Sequence, residues 1–394
     1  MSGTRQASTV AVTGSRGLVG SALAPALAAA GHRVLRLVRG AAAAPAAPAV
    51  GARVARWDPE SGALDSSALA GVDAVVHLAG ESVAGGRWTE AKKRRIRSSR
   101  VDGTRGLAAS LARLERPPRV LVSASAVGYY GDRGAELLRE GSAPGTGFLA
   151  EVCQEWETAT EPAARARIRV VRLRIGMVVS RRGGALAAML TPFRLGAGGP
   201  VGGGAQWVSW IAIDDLVAAI LHALDTASLA GAVNAVAPEP VQNRELARTL
   251  GRVLGRPALL PLPAFAARLL LGQMADELLL ASARVEPARL QATGFAFRHP
   301  TLEDALRHEL GRYPARRPST AYPTALRGSS ASRKPSPITL KARTASMMAA
   351  PGKSDTQGAY ARNSLPSFRI VPHEGVGGCT PSPRYESADS MRMP

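Results

Sequence analysis

The stretch Thr9-Val-Ala-Val-Thr-Gly-Ser-Arg-Gly-Leu-Val-Gly20 constrains the fold more than any other part of the chain. A short apolar run enters three glycines, Gly14, Gly17 and Gly20, and an alanine-rich helical pattern follows. Glycine allows this tight a turn and lets an anion approach main-chain N–H groups without a Cβ in the way. A helix that starts where the glycines end points the positive end of its dipole at that anion. The expected cradle for a dinucleotide pyrophosphate is therefore Gly14, Ser15, Arg16, Gly17, Leu18, Val19 and Gly20. The spacing is Gly-x-x-Gly-x-x-Gly, which differs from the commonest fingerprint. In a chain with 41 glycines, the triplet takes its meaning from the strand before it and the helix after it.

Strand and helix patterns alternate from residue 9 to about 236. Apolar runs at 9–13, 33–38, 53–57, 74–78, 120–123, 170–175 and 232–236 read as buried parallel strands. Helical stretches lie between most of them, for example 21–30, 100–114 and 149–166. The alternation predicts an α/β fold, a doubly wound parallel sheet. The Ala- and Pro-rich segment 40–51 reads as a surface loop. The second strand ends in Arg39, where an acidic residue would bond the ribose of NAD and an arginine suits the 2′-phosphate of NADP. Arg39, with Arg16, thus points to NADP, with NAD the lesser alternative. Trp57 and Asp58 end the third strand, at the expected adenine edge. Leu78, Ala79 and Gly80 end the fourth, where small residues let backbone approach a cofactor; His77 beside them reads as a buried histidine with no acid–base partner.

Net charge is +20. Twelve Lys/Arg against four Asp/Glu lie from residue 315 onward, in a low-complexity tail, and the rest is spread along the chain. No nucleic-acid motif accompanies the charge, so no nucleic-acid partner is expected. The absence of a long apolar run argues against a membrane partner. The opening residues show no signal-peptide core, and Cys153 and Cys379 suggest neither a disulfide framework nor a metal site. A cytoplasmic protein acting on a small molecule fits.

The basic run from Glu81 to Arg100 reads as a solvated helix face, or, because it follows the fourth strand, as pocket lining in which Glu81, Arg87, Trp88 and Arg100 face a substrate. The fifth strand runs into Ser123-Ala-Ser-Ala-Val-Gly-Tyr-Tyr-Gly131. Hydroxyls and phenols at a strand's carboxyl end can serve a carbonyl or alcohol, with a nearby cation needed to bring a phenol toward neutrality.

Together these segments resemble the extended short-chain dehydrogenase/reductase superfamily, which has a Rossmann-type fold. More specific segments are Arg87-Trp-Thr, Ser125-Ala-Val-Gly-Tyr-Tyr-Gly131, 148–156 and Trp207-Val-Ser-Trp-Ile-Ala-Ile-Asp-Asp215. They resemble an atypical epimerase/dehydratase-like oxidoreductase subfamily with a small C-terminal domain of unknown function (DUF1731-like), to which 234–240, 250–257 and 289–295 correspond. The resemblance covers residues 9 to about 311. It implies a cofactor-binding domain over 8–236, a small helical C-terminal substrate or cap domain over 237–312, and a disordered tail over 313–394.

The superfamily's Tyr-x-x-x-Lys falls on Phe148-Leu-Ala-Glu-Val152, so neither the phenol nor the ammonium is present. Arg100 stands where relatives often have asparagine. The family serine maps to Ser125 or, with a one-residue shift, Ser123. Three readings follow. Tyr129 or Tyr130 replaces the lost tyrosine, tuned by Arg100 or Glu81; the cofactor's hydride chemistry is used with a proton from elsewhere; or the chain binds NADP as a non-catalytic regulatory or scaffold protein. Nucleotide-sugar epimerase or dehydratase chemistry is a further alternative. The expected catalytic set is Ser125, Tyr129, Tyr130 and Arg100. Ile175 and Gly176 should line the nicotinamide side. Gly196–Gly204 reads as a mobile loop, and Asp214–Asp215 as acids capping a helix. Leu269, Leu270, Leu271, Met274, Leu278 and Leu279 read as core, with a homodimer contact or a lid as the sharper alternative.

Overall fold

All seven expected strands join a single parallel sheet. They are β1 (Thr9–Thr13), β2 (Arg33–Val38), β3 (Arg53–Arg56), β4 (Ala74–His77), β5 (Val120–Ala126), β6 (Arg169–Ile175) and β7 (Gly231–Ala235), in the order β7-β6-β5-β4-β1-β2-β3. This computed structural model describes residues 8–39, 53–59 and 67–312; the expected loop at 40–51 and the expected tail at 313–394 lie outside them. The described residues all fall within one compact unit.

The helices are α1 (Leu18–Ala29), α2 (Glu90–Ala112), α3 (Phe148–Thr158), α4 (Glu161–Arg165), α5 (Gly184–Arg194), α6 (Ile213–Asp225), α7 (Asn243–Leu254), α8 (Ala264–Leu271), α9 (Ala288–Ala292) and α10 (Leu302–Glu309). Alternation along β1 shows how the sheet is covered. Val10 and Val12 point into a core shared with Leu23 and Leu27 of α1 and Leu216 and Ile220 of α6. Ala11 points the other way, toward Leu107 and Leu111 of α2 and Ala163 of α4. A sheet with both faces covered needs strands that are apolar throughout. In α2, Thr89 accepts the Lys92 amide (3.1 Å) as N-cap while Glu90 sits in the first turn, both favourable at a helix start. Its buried stripe is Ile96, Val101, Thr104, Leu107 and Leu111, and most of its basic residues lie off that stripe.

The strand order reverses between β1 and β4, the switch point at which a crevice opens beyond the carboxyl ends of the strands. Residues after β7 pair with earlier segments of the chain in small two-stranded sheets. Trp207–Val208 pairs antiparallel with Val241–Gln242, Leu137–Leu138 pairs parallel with Arg284–Val285, and α10 packs on α7. No helix among the described residues is long and apolar enough to cross a membrane.

Two expectations need correction here. The glycine-rich segment 196–204 is not a free loop: Leu260 N donates to Gly198 O (3.2 Å), Leu262 N to Pro200 O (2.9 Å) and Gly202 N to Leu262 O (2.8 Å). The leucines expected in the core around α8 divide. Met274 is buried, whereas Leu269 and Leu270 are 72% and 63% exposed. An eight-residue helix has only two turns, and this one buries Ala267 rather than its leucines.

Candidate dinucleotide site and active site

Gly14 follows β1 at φ +63°, and a Cβ there would lie 2.7 Å from the Leu78 carbonyl carbon, so the first glycine presses the loop against the end of β4. α1 begins after Gly17 with no side-chain cap and no acid in its first turn. Its first amides are therefore unsatisfied by this chain's side chains, the condition under which a helix start binds an anion. Ser15 is 5% exposed and its Oγ has no hydrogen-bond partner. A buried hydroxyl without a partner is costly unless something completes it. Gly20, Leu18 and Val19 are buried or half-buried in the first turn, while Arg16 and Arg39 are exposed.

The turn after β4 is built from β1 and α2. Thr13 Oγ1 accepts the amides of Leu78 (3.0 Å) and Ala79 (3.2 Å). Both of its lone pairs are then used, so its proton goes to His77 Nδ1 at 2.7 Å. His77 consequently carries its own proton on Nε2 and donates it to Thr104 Oγ1 (2.9 Å), which also accepts from Trp156 Nε1 (2.9 Å). Complete burial lowers the imidazole pKa to about 4, so it stays neutral. His77 is a core bracket between four elements, as its lack of an acid–base partner implied.

The Arg100 guanidinium is held by contacts within the chain. It donates to the carbonyls of Glu81 (2.9 Å) and Ile96 (3.2 Å), stacks on Trp156 at 5.1 Å and lies under Gly80. The expectation of a catalytic arginine is corrected to a brace for the Gly80–Glu81 turn. Glu81 does not tune a tyrosine either. Lys92 hydrogen-bonds it at 2.7 Å, and with Arg95 and Arg39 nearby the carboxyl is held below its ordinary range. Arg39, Lys92 and Arg95 thus form a cationic group at the carboxyl edge. Trp57 is also corrected: it is 1% exposed, edge-on to His77, and belongs to the core beside Gly103. Asp58 next to it is half-buried.

Beyond β5 the largest departure appears. Arg174 of β6 and Glu157 of α3 form a buried pair through Nε–Oε1 (2.7 Å) and Nη2–Oε2 (2.9 Å). Burial opposes the guanidinium charge, but Glu157 more than offsets this and holds Arg174 above its ordinary range. Ser125 donates to Glu157 Oε1 at 2.8 Å and is 3% exposed. Tyr130 is fully buried; its hydroxyl lies 2.7 Å from Asn234 Oδ1, accepts from Arg174 Nη1 (3.0 Å), and is pushed above the usual phenol range by burial. Tyr130 is therefore withdrawn from the catalytic set, because its proton is committed within the core. Ser125 touches the site only through Glu157. Tyr129 is half-buried, with the Arg174 guanidinium 3.4 Å from its ring centroid. Its hydroxyl makes no hydrogen bond among the described residues.

The remaining expected residues sit around this group. Ser123 is buried at the position paired with His77, Ile175 is half-buried, and Gly176 joins β6 to the short strand Met177–Val179, where a Cβ would meet the Ser209 carbonyl at 2.6 Å. Phe148 packs edge-on against Trp88 (5.4 Å), and Val152 is 1% exposed. The amides of Phe148 and Leu149 are capped by Glu277, at 3.1 and 2.7 Å, from the single π-helical turn Ala275–Leu280. Asp215 does not cap α6. It is fully buried and accepts the amides of Arg298 (2.7 Å) and His299 (3.0 Å). The Arg174–Glu157 pair and the Glu277 cap were missed from the sequence. A signal for the first existed: Glu157 follows Trp156 in the buried stripe of α3, and Arg174 interrupts an apolar strand.

A model of the NAD dependent epimerase/dehydratase family matches residues 10–235, and a model described as a domain of unknown function (DUF1731) matches 262–309. An epimerase family protein of Mycobacterium leprae (strain TN) is 42% identical over 303 residues, 77% of this chain and 96% of the relative. The crystal structure of human epimerase family protein SDR39U1 (isoform2) with NADPH is similar at TM-score 0.68 and 33% identity, covering 77% of this chain and 100% of that one. A nucleoside-diphosphate sugar epimerase structure from Corynebacterium glutamicum is similar at TM-score 0.62 and 42% identity, covering 77% of this chain and 58% of that one.

Proposed function

The chain belongs to the NAD dependent epimerase/dehydratase family, and from that premise we propose that it is an NADP(H)-binding oxidoreductase acting on a small molecule. The observation that carries the cofactor is the uncapped start of α1 beside the buried, unpartnered Ser15 hydroxyl. The human relative solved with NADPH supports the same reading. Gly14, Gly17 and the first-turn amides at Leu18 and Val19 would hold the pyrophosphate, with Ser15 donating its free hydroxyl. Arg16 and Arg39 would meet the 2′-phosphate, with Lys92 and Arg95 adding to the field. The Leu78–Glu81 turn, braced by Arg100, would lie along the cofactor.

When bound, the cofactor supplies the hydride. This chain's residues must supply position and a proton. Phe148 has no proton to give and Val152 no charge to tune a phenol. Tyr129 is the open phenol at the carboxyl end of β5, and Arg174 beneath its ring supplies a fixed cation. Ser125 and Glu157 hold Arg174 there and act as positioning residues. The C-terminal residues over 237–312 form the substrate-side wall, joined to α3 through Glu277.

A second reading, NADP binding without catalysis, is favoured by one observation: the Ser125 hydroxyl is spent on Glu157. Fluorescence titration with NADPH and NADH tests the cofactor. Loss of the Arg39 contact should weaken NADPH about tenfold in Arg39→Ala, as one partly exposed charge-assisted bond would, and leave NADH unchanged. Equal affinity for both cofactors sinks the NADP assignment. A redox screen over small carbonyls and alcohols tests the chemistry. Turnover that falls in Tyr129→Phe supports the first reading, and no turnover with tight NADPH binding supports the second.

A further inference from the structure

Along α7, Arg244, Arg248 and Arg252 recur every four residues, and Arg256 continues the step just past the helix end at Gly255. That spacing places Arg244, Arg248 and Arg252 on one side of the helix. All four line one groove of about 740 Å³, whose facing wall is Pro200, Pro257, Leu259 and Pro261.

Like charges four apart on a helix repel, so such a ladder is unfavourable unless something offsets it. Within the chain the offset is partial. Arg252 meets Glu245 at 3.3 Å and Glu303 at 3.4 Å, and Arg244 donates to Gln242 Oε1 at 2.8 Å. The side chains of Arg248 and Arg256 make no ion pair or hydrogen bond among the described residues. Leu259 on the groove's wall is 79% exposed.

The lining selects among polyanions. It holds no aromatic ring, so it offers no platform on which bases would stack. Guanidinium groups opposite aliphatic walls match carboxylates and aliphatic side chains on one strand of chain. We propose that this groove is a docking site for an acidic, leucine-bearing peptide segment of a partner protein. Carboxylates would bind Arg244, Arg248 and Arg256, and leucines would cover Leu259 and the prolines. The proposal does not rest on the cofactor assignment.

The test uses the full chain and a fluorescein-labelled peptide with glutamate and leucine at helical spacing, read by fluorescence anisotropy. Controls are the same peptide with glutamine for glutamate, an oligouridylate, and vesicles of phosphatidylserine and phosphatidylcholine. The variant Arg248→Glu/Arg256→Glu disturbs no bond of the fold and should keep NADPH affinity and melting temperature. It should weaken the acidic peptide at least about tenfold, the scale expected for reversing two interface charges, and added salt should weaken the wild-type complex. The proposal is overturned if the acidic peptide does not bind, if the glutamine peptide binds equally, or if the double variant binds as wild type does. It is also overturned if oligouridylate or vesicles bind the same arginines as tightly. Finally, a concentration-dependent dimer abolished by the double variant would assign the groove to a second copy of this chain instead.

Discussion

His77 makes an acid-sensitive bracket whose strength can be worked out in advance. In the folded chain Nδ1 accepts from Thr13 and Nε2 donates to Thr104. A second ring proton would face a Thr13 oxygen whose lone pairs already serve Leu78 and Ala79. The folded value is about 4 against 6.5 for an exposed imidazole. Between those values the unfolded chain binds a proton that the folded chain refuses. Stability is therefore complete above pH 6.5, falls as pH drops toward 4, and loses nothing further from this group below that. At 1.36 kcal/mol per pH unit the full loss is about 3 kcal/mol, and about 2 kcal/mol of it is spent by pH 5. Urea unfolding followed by tryptophan fluorescence at pH 7 and pH 5 measures it, with His77→Asn as the non-titrating reference and His77→Gln as a second. Other titrations are common to all three proteins and cancel. The wild type should lose about 2 kcal/mol more than either variant over this interval. Parallel losses in all three would show that His77 is not held neutral, and the proton assignment through Thr13 would fail with it.

Three further perturbations test other parts of the site. Gly14→Ala forces a Cβ at φ +63° against the Leu78 carbonyl, and strain of about 1–3 kcal/mol should lower the melting temperature and weaken NADPH in calorimetry; an unchanged affinity would separate the loop from the cofactor. Glu157→Gln leaves the buried Arg174 charge uncompensated and should cost about 3–5 kcal/mol in urea unfolding, whereas a loss below about 1 kcal/mol would mean the pair is solvated. Asp215→Asn removes a carboxylate that holds two amides and should cost about 1–3 kcal/mol, with faster hydrogen exchange at Arg298 and His299 as its local signature.

The sheet was legible because strands covered on both faces must be apolar along their length. β1 and β2 run over the residues their patterns marked, and β7 differs by one residue. β5 runs three residues further than its apolar run suggested, to Ala126. Ser125 looks like a loop residue until the core is seen to provide Glu157 as a partner. The same reason hid the Arg174–Glu157 pair: two charges are tolerable in a core only together, and 17 residues of sequence do not reveal which acid faces which base. From sequence, Trp57 is expected at the adenine edge and Arg100 facing a substrate, yet both turn inward, one against His77 and the other across the Gly80–Glu81 turn. The leucines near α8 failed in the opposite sense, since apolarity marks a surface to be covered without saying by what.

Glu277 carries a consequence for how this chain is divided. The matched family models leave a gap between residues 235 and 262, which invites treating the C-terminal part as an appendage. Yet the carboxylate that ends the exposed amides of α3 comes from that part, 128 residues away from Leu149. α3 in turn carries Val152 and Trp156, and Trp156 shares Thr104 with His77. Cutting the chain at the model boundary would thus remove a helix cap from the half that is kept. Evolution cannot exchange the two parts as independent cassettes without also finding α3 another acid.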